Sequence, residues 1–376
     1  MKKIGFLIVG SLLLVSGLFA QRSIVVSNTS EIERKAEMVE VKAGTLKLDL
    51  NLKSYILKNE KGEEVPYQLV SGGKNNVQTL IFQADVKANG SSVYKLLEGK
   101  PAVVKPKTSA RFVPERKDDF AWENDLAAYR MYGPALVKEN PSNGVDLWLK
   151  RTDELIVDKF YSDELNKGLS YHVDHGQGLD CYSVGHTLGA GGIAPYASDS
   201  LWIGNHYDSY KVLENGALRS VFTLTYDSVK VGPEYYKQTI TITANAGSML
   251  NKAVVRYEGK KQKMKLAAGI ILHDAKGSLD ESAAKGIIAY AENAVSNAKI
   301  PSGRNYIGVY TPAKSPEIIK KNNHALILSN YNTGKEFTYY LGGGWSKWGY
   351  PTDGDWFKAL NNYSESMKKP LKVKVK

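Results

Sequence analysis

The 376-residue sequence holds a single cysteine, Cys181. An intramolecular disulfide is therefore excluded, and so is a structural zinc site built on several thiolates. Cys181 itself reads as a small buried hydrophobe. Long apolar runs are scarce too. Beyond the first twenty residues, no segment approaches the roughly 20 apolar residues that a membrane-spanning helix needs. No zinc finger, helix-turn-helix or aromatic RNA-binding motif is present, which argues against a nucleic-acid partner. No repeat of fixed period is visible. Histidine is rare, with six residues in the whole chain.

The N-terminus reads MKKIGFLIVGSLLLVSGLFA. Lys2 and Lys3, the apolar run Ile4 to Phe19 and the small Ala20 have the order of a cleaved secretory signal. The run is short for a membrane anchor, and no cysteine follows it to carry a lipid. Residues 1–20 are therefore expected to leave, giving a secreted or periplasmic chain that starts near Gln21. The formal charge is +11. Two of those charges depart with the signal, and five lysines crowd the C-terminal KKPLKVKVK, expected as a solvated tail. The mildly basic body points weakly to an anionic small substrate such as a uronic-acid sugar.

Strand patterns dominate the rest. Leu46 to Leu52, Val77 to Val86, Ser91 to Leu97, Val221 to Val231, Gln238 to Ala244 and Lys252 to Tyr257 are β-like, several of them alternating apolar and polar. Lys265 to Leu272, Gly286 to Tyr290, Tyr306 to Tyr310, Ala325 to Leu328 and Glu336 to Leu341 continue the theme. One convincing helix is predicted, Asp353 to Met367, capped by Asp353 or Asp355 with Trp356, Leu360 and Tyr363 on one face. The Pro- and Lys-rich stretch from Lys100 to Arg116 reads as a connector. The expected architecture is all-β. An N-terminal β-domain (21–105) packs on an antiparallel supersandwich of galactose-mutarotase type (106–376), with a short C-terminal helix.

The chemistry concentrates in YHVDHGQGLDCYSVGHTLGAGGIAPY, Tyr171 to Tyr196. His172, His175 and His186 fall there among Asp174, Asp180 and six glycines, and His206 follows. Histidine suits proton transfer near neutral pH and also ligates metals. Three readings stand for His172, Asp174 and His175: a histidine base oriented by Asp174, a metal site, and a structural turn capped by Asp174. GAGG at 189–192 lacks the ending of a nucleotide loop and reads as a tight loop beside a cleft. Trp122, Trp148, Trp202, Trp345 and Trp348 could stack on sugar rings or fill the core. Of these, Trp345 and Trp348 sit in the glycine-rich GGGWSKWGY, expected to be an exposed loop.

YRMYGPAL, GVDLWLKR, DKFY, the YHxDHGxGLD block, KVLENGALRSVFTLTY and LGGGWSKWGYPTDGDW together resemble a bacterial family known as domain of unknown function family 4861. The resemblance covers most of the mature chain. It implies a secreted protein associated with breakdown of pectin-like and other uronic-acid polysaccharides, without fixing a reaction. The family pattern favours Glu where this chain has Gln177, and an amide cannot act as a general base.

The expected function is a carbohydrate-active enzyme working on uronic-acid-containing oligosaccharides by β-elimination. His172 or His175 would be the base, Tyr171 or Tyr182 the proton donor, and Asp174 and Asp180 supporting carboxylates. Arg130 or Lys159 would face the substrate carboxylate, with His186, Gln177, Trp345 and Trp348 as further substrate contacts. Hydrolysis, epimerisation or mutarotation, and non-catalytic glycan binding are the alternatives. For hydrolysis, no motif singles out two carboxylates among Asp125, Asp146, Asp158, Asp174, Asp180 and Glu214. No metal or other cofactor is expected. A Ca²⁺ would draw on Asp and carbonyl oxygens, but no loop carries a recognisable pattern for it.

Overall fold

The computed structural model describes residues 22–72, 76–139, 141–296 and 298–376. The expected signal segment lies outside the described residues. The largest element is an antiparallel sheet of eight strands. It runs Ser209–Asn215, Arg219–Val231, Glu234–Asn245, Asn251–Glu258, Phe337–Trp345, Pro301–Tyr310, Ile287–Val295 and Ser278–Ser282 across its width. The TITIT run shows why it forms: Ile240 and Ile242 are buried, while the threonines between them face outward and Thr223 and Thr241 bond across strands at 2.8 Å. This is the period-2 alternation of a sheet with one core face.

A five-stranded sheet faces it, built on Ala190–Ala197, Lys263–Ile271 and His324–Asn332. Phe222, Ile242, Val255, Tyr339 and Leu341 from the large sheet meet Ile193, Leu266, Ile270 and Ile327 from the other in one core. GAGG is part of this sandwich rather than a loop. Gly191, at φ +110°, passes so close to Leu341 that a Cβ would sit 2.7 Å from its Cβ.

A third sheet positions the site. Its strands, in order, are Gly178–Asp180, Asp146–Lys150, Ala127–Met131, Asp119–Asn124 and Thr108–Val113. One face, with Trp122, Tyr129, Leu147 and Leu179, joins the main core. The other face carries Trp148 and Ala128 and is closed by helix Val157–Lys167 through Phe160 and Tyr161. That helix is an addition to the sequence expectation. Its N-terminal amides of Ile156 and Val157 donate to the carboxylate of Glu123 at 2.8–3.0 Å, which also pairs with buried Lys150 at 2.9 Å.

The N-terminal unit is two small sheets around a core that includes Ile24, Val39, Leu57, Phe82 and Leu96. The C-terminal lysine run is not a free tail. Lys372–Val375 returns as an edge strand on Arg22–Ser27, with Val375 opposite Ile24. Leu46 to Leu52 is also corrected. It is a one-turn helix, Ala43–Leu46, followed by a turn in which Asp49 accepts the amides of Asn51 and Leu52. Leu46 and Leu50 are buried and Leu52 is exposed; four leucines at every second position imitated a strand. The C-terminal helix is Asp353–Lys368. Its cap is Thr352 in a reciprocal box with Asp355, and Trp356 and Leu360 are buried as expected. No helix among the described residues is long and apolar enough to cross a membrane.

Candidate functional site

The outer face of the third sheet holds a buried charge box. Arg130 is 3% exposed. Its Nε donates to Asp146 Oδ2 at 2.5 Å and its Nη2 to Asp180 Oδ2 at 2.7 Å, and Asp119 Oδ2 lies 3.5 Å from Nη1. The guanidinium also lies over the rings of Trp148, Tyr132 and Tyr171 at 5.2–5.7 Å. Antiparallel register places these groups: Asp146 is opposite Arg130, and Trp148 is opposite Asp180. Gly178 permits the close pairing, because a Cβ there would meet Leu149 O at 2.0 Å. Burial, and then the neighbouring Asp146 charge, push the Asp180 carboxyl well above the usual range despite Arg130. Burial likewise raises Asp119 to about 6 against the pull of Arg130 and Arg116.

Asp119 gives a pH prediction. A carboxyl raised from 3.8 to about 6 binds its proton more tightly in the folded state. The stability it contributes is full below its unfolded value and is lost as pH rises through about 6. Asp119→Asn is therefore expected to flatten thermal stability between about pH 4 and 6 and to raise it above pH 6. Each tenfold change in proton affinity corresponds to about 1.4 kcal/mol. Melting curves across that range check it. An unchanged slope would mean that another group controls it.

His172 emerges from the box. Its Nδ1 lies 3.0 Å from the Asp180 carbonyl and 3.4 Å from the Asp180 carboxylate, and its side chain is 27% exposed. The orienting carboxylate is thus Asp180 and not Asp174. Asp174 accepts the amides of Gly176 and Gly178 at 2.8 and 3.3 Å and pairs with Arg151 at 3.2 Å, the capped turn of the structural alternative. His175 is exposed and bonds Ser170 O at 3.0 Å within the same turn. Tyr171 is buried, stacked on Trp148, with its hydroxyl receiving Arg116 and Arg130 at 3.2 and 3.3 Å. Gln177 lies in the same turn, half-buried, and His186 is exposed in a separate bend. Lys159 pairs with Asp163 on the outer helix. Arg130 is saturated by three carboxylates, so it is not available to a substrate.

Beyond Asp180 the chain passes through Cys181, Tyr182 and Ser183 to a second polar cluster that sequence reasoning missed. Glu292, Asn305 and Trp345 occupy one cross-strand row of the large sheet. Glu292 is 3% exposed, and both its carboxylate oxygens lie 3.1 Å from His273 Nδ1. Asn305 donates to Glu292 at 3.5 Å and accepts from Cys181 Sγ at 3.8 Å. The His273 ring stands edge-on to Tyr182 at 5.1 Å. Burial lowers the His273 pKa, but the hydrogen bond and charge of Glu292 outweigh it and leave it raised. Tyr182 is buried and held neutral, its pKa well above the usual phenol value.

GGGWSKWGY contributes here in an altered form. Gly342 to Trp345 are strand, and Trp345 is 1% exposed with its Nε1 on Ser302 O at 2.6 Å. Sugar stacking on Trp345 is therefore ruled out by burial. Lys347 lies over its ring at 4.9 Å and is exposed, and Trp348 is 37% exposed. The Cys181 thiol, pushed up to about 12 chiefly by burial, also feels Asp180, Asp146, Glu292 and Lys347, so Cys181 sits where the two clusters adjoin. His172 and His273 contact positions 180 and 182 of one segment. Both contacts therefore fall on the short segment from Asp180 to Tyr182, His172 at the charge box and His273 at the Tyr182 ring. Among the described residues, no group of three or more His, Cys, Asp or Glu side chains is arranged to hold a metal ion.

The fold and sequence have counterparts. An "Uncharacterized protein P7" of Formosa agariphila is 27% identical over 373 residues, covering 94% of this chain and 93% of that protein. A crystal structure of a protein in the glycosyl hydrolase family 38 from Enterococcus faecalis superposes with a TM-score of 0.52 at 10% identity. That match covers 95% of this chain but only 47% of the other, so the likeness is one of fold. A family model, "Domain of unknown function (DUF4861)", matches residues 26–373, and the chain belongs to that family.

Proposed function

We propose that the protein is an exported carbohydrate-active enzyme that cleaves uronic-acid-containing oligosaccharides by histidine-based acid–base chemistry, through β-elimination. One observation carries this reading. Two partly exposed histidines, His172 and His273, are each oriented by a buried carboxylate and touch the same short segment. The fold shared with a glycosyl hydrolase family protein is compatible with work on sugars.

In the elimination, His172 Nε2 removes the proton α to the uronate carboxylate. The electron pair forms the ring C=C bond as the glycosidic C–O bond breaks. His273, protonated under the influence of Glu292, donates its proton to the departing oxygen. Exposed Lys347, which lies over the Trp345 ring, takes the role of the cation that faces the carboxylate as negative charge develops. The carboxylates offer less support for hydrolysis. That chemistry needs two of them flanking the bond, whereas Asp119, Asp146, Asp180 and Glu292 are buried and committed to Arg130 or His273.

The test incubates the purified protein with uronic-acid oligosaccharides while following ultraviolet absorbance and product mass. Elimination gives new absorbance with the fragments summing to the mass of the substrate. Fragments that together gain one water, without absorbance, would establish hydrolysis and reject this mechanism. A change in optical rotation at constant chain length would favour an epimerase.

A further inference from the structure

The N-terminal unit, the outer face of the large sheet and the C-terminal helix border an open cavity of about 970 Å³. That lies at the upper end of the roughly 300–1,000 Å³ typical of small-molecule sites, which favour domain interfaces. It lies apart from the histidines described above, and none of their residues line it.

The walls have a particular chemistry. Tyr340 and Tyr363, with ring centroids 5.8 Å apart, and Met38 offer apolar surface. Thr243 and Asn362 offer hydroxyl and amide groups from the sheet and the helix. Three carboxylates also line the cavity, and each is ion-paired: Glu33 with Lys87, Glu37 with Arg34 and Glu40 with Arg219. Lys252 is an exposed cation on the sheet side, with no ion-pair partner among the described residues. Arg34, by contrast, is 3% exposed and lines the N-terminal side. Its Nη1 and Nη2 bond Glu37, Ser30 Oγ and the carbonyls of Ser366 and Lys369, yet its Nε is a buried donor with no acceptor.

We infer that this interdomain cavity is a second, non-catalytic binding site for an anionic saccharide. Aromatic faces take the apolar C–H face of a sugar ring. The hydroxyl and amide groups take its hydroxyls, and Lys252 takes the anionic oxygens. A uronate and a sulfated sugar share this chemistry. The inference stands independently of the histidine mechanism, because it concerns binding at a different place.

The experiment is titration calorimetry of the full chain with trigalacturonate, with a sulfated trisaccharide and with neutral maltotriose. Binding is compared in wild type, Lys252→Gln, Thr243→Trp and His273→Ala. Lys252 is exposed and Thr243 lies on the outer face, so both variants are expected to fold, and a melting curve confirms it. An anionic trisaccharide is expected to bind wild type and His273→Ala at this site. Its affinity at this site should fall about tenfold in Lys252→Gln, and the binding event of this site should be lost when Thr243→Trp fills the cavity, leaving only binding at the histidine site. The preferred anion shows whether carboxylate or sulfate is the natural partner. Binding that survives Thr243→Trp unchanged overturns the inference, as does equal affinity for maltotriose or no binding of either anion to wild type. Turnover is read separately, so loss of the elimination mechanism and loss of this site are distinguishable.

Discussion

Replacing Arg130 with methionine is expected to destabilise the protein severely at neutral pH. Removing one partner of a buried ion pair costs about 3–5 kcal/mol, because the remaining charge has neither water nor a counter-ion. Here one guanidinium serves Asp146 and Asp180 directly and Asp119 at 3.5 Å. A total stability of about 5–15 kcal/mol leaves little margin against such a loss. Arg130→Lys is not expected to rescue it, since a single ammonium cannot grip two carboxylates with a planar fork. The sign of the pH dependence is specific. Without Arg130 the carboxyls of Asp119 and Asp180 bind protons still more tightly when folded, so the variant should regain stability as pH falls toward about 5. Asp146→Asn and Asp180→Asn added to Arg130→Met should recover part of the loss at neutral pH. Chemical denaturation of wild type, Arg130→Met, Arg130→Lys and the triple variant at two pH values measures this. An Arg130→Met protein as stable as wild type at neutral pH would show that the box contributes no stability.

The same residues show what can be read from the sequence. The all-β class, most strands and the C-terminal helix follow from local alternation, and local signals fail where two periods coincide. Leu46, Leu48, Leu50 and Leu52 fit a strand as well as a one-turn helix with its following turn, and only packing decides. GGGW reads as a loop because of its glycines. Those glycines instead admit neighbours at contact distance, as Gly343 does with Leu147, whose Cδ2 would lie 2.5 Å from a Cβ.

In the site, the histidine-rich segment points to His172 but suggests the carboxylate nearest in sequence as its partner. The true partner, Asp180, is brought to it by the turn between them. Arg130 reads as a substrate cation, but the rings of Tyr132, Trp148 and Tyr171 around it are the groups that bury it. His273 and Glu292 lie about a hundred residues from His172, and no local pattern joins them. One signal exists. Ile288, Tyr290, Glu292 and Ala294 share the core-facing side of a strand, and of the four only Glu292 is charged. A carboxylate at a core-facing position requires a partner, and His273, just past the end of the preceding apolar strand, is a suitable residue type.

Glu292 also supplies the sharper test of the proposed chemistry. His273→Ala is expected to lower kcat by about 10²–10⁴-fold on a cleaved uronic-acid oligosaccharide, the range for loss of a general acid, with a small change in KM. Glu292→Gln acts differently, because Glu292 positions His273 and holds its proton. Burial lowers the His273 pKa, and Glu292 reverses that effect. In Glu292→Gln burial is opposed only by the backbone hydrogen bond at Ser183, the smallest of the raising influences, and the pKa falls. An acid must be protonated to work, so the alkaline limb of the kcat profile should move to lower pH, with activity best preserved at the acidic end. Glu292→Asp keeps the charge and should keep most of the shift. A merely structural role for Glu292 would lower activity at every pH without moving the limb. The two outcomes therefore separate a proton-holding carboxylate from one that only fills the core-facing edge of the sheet.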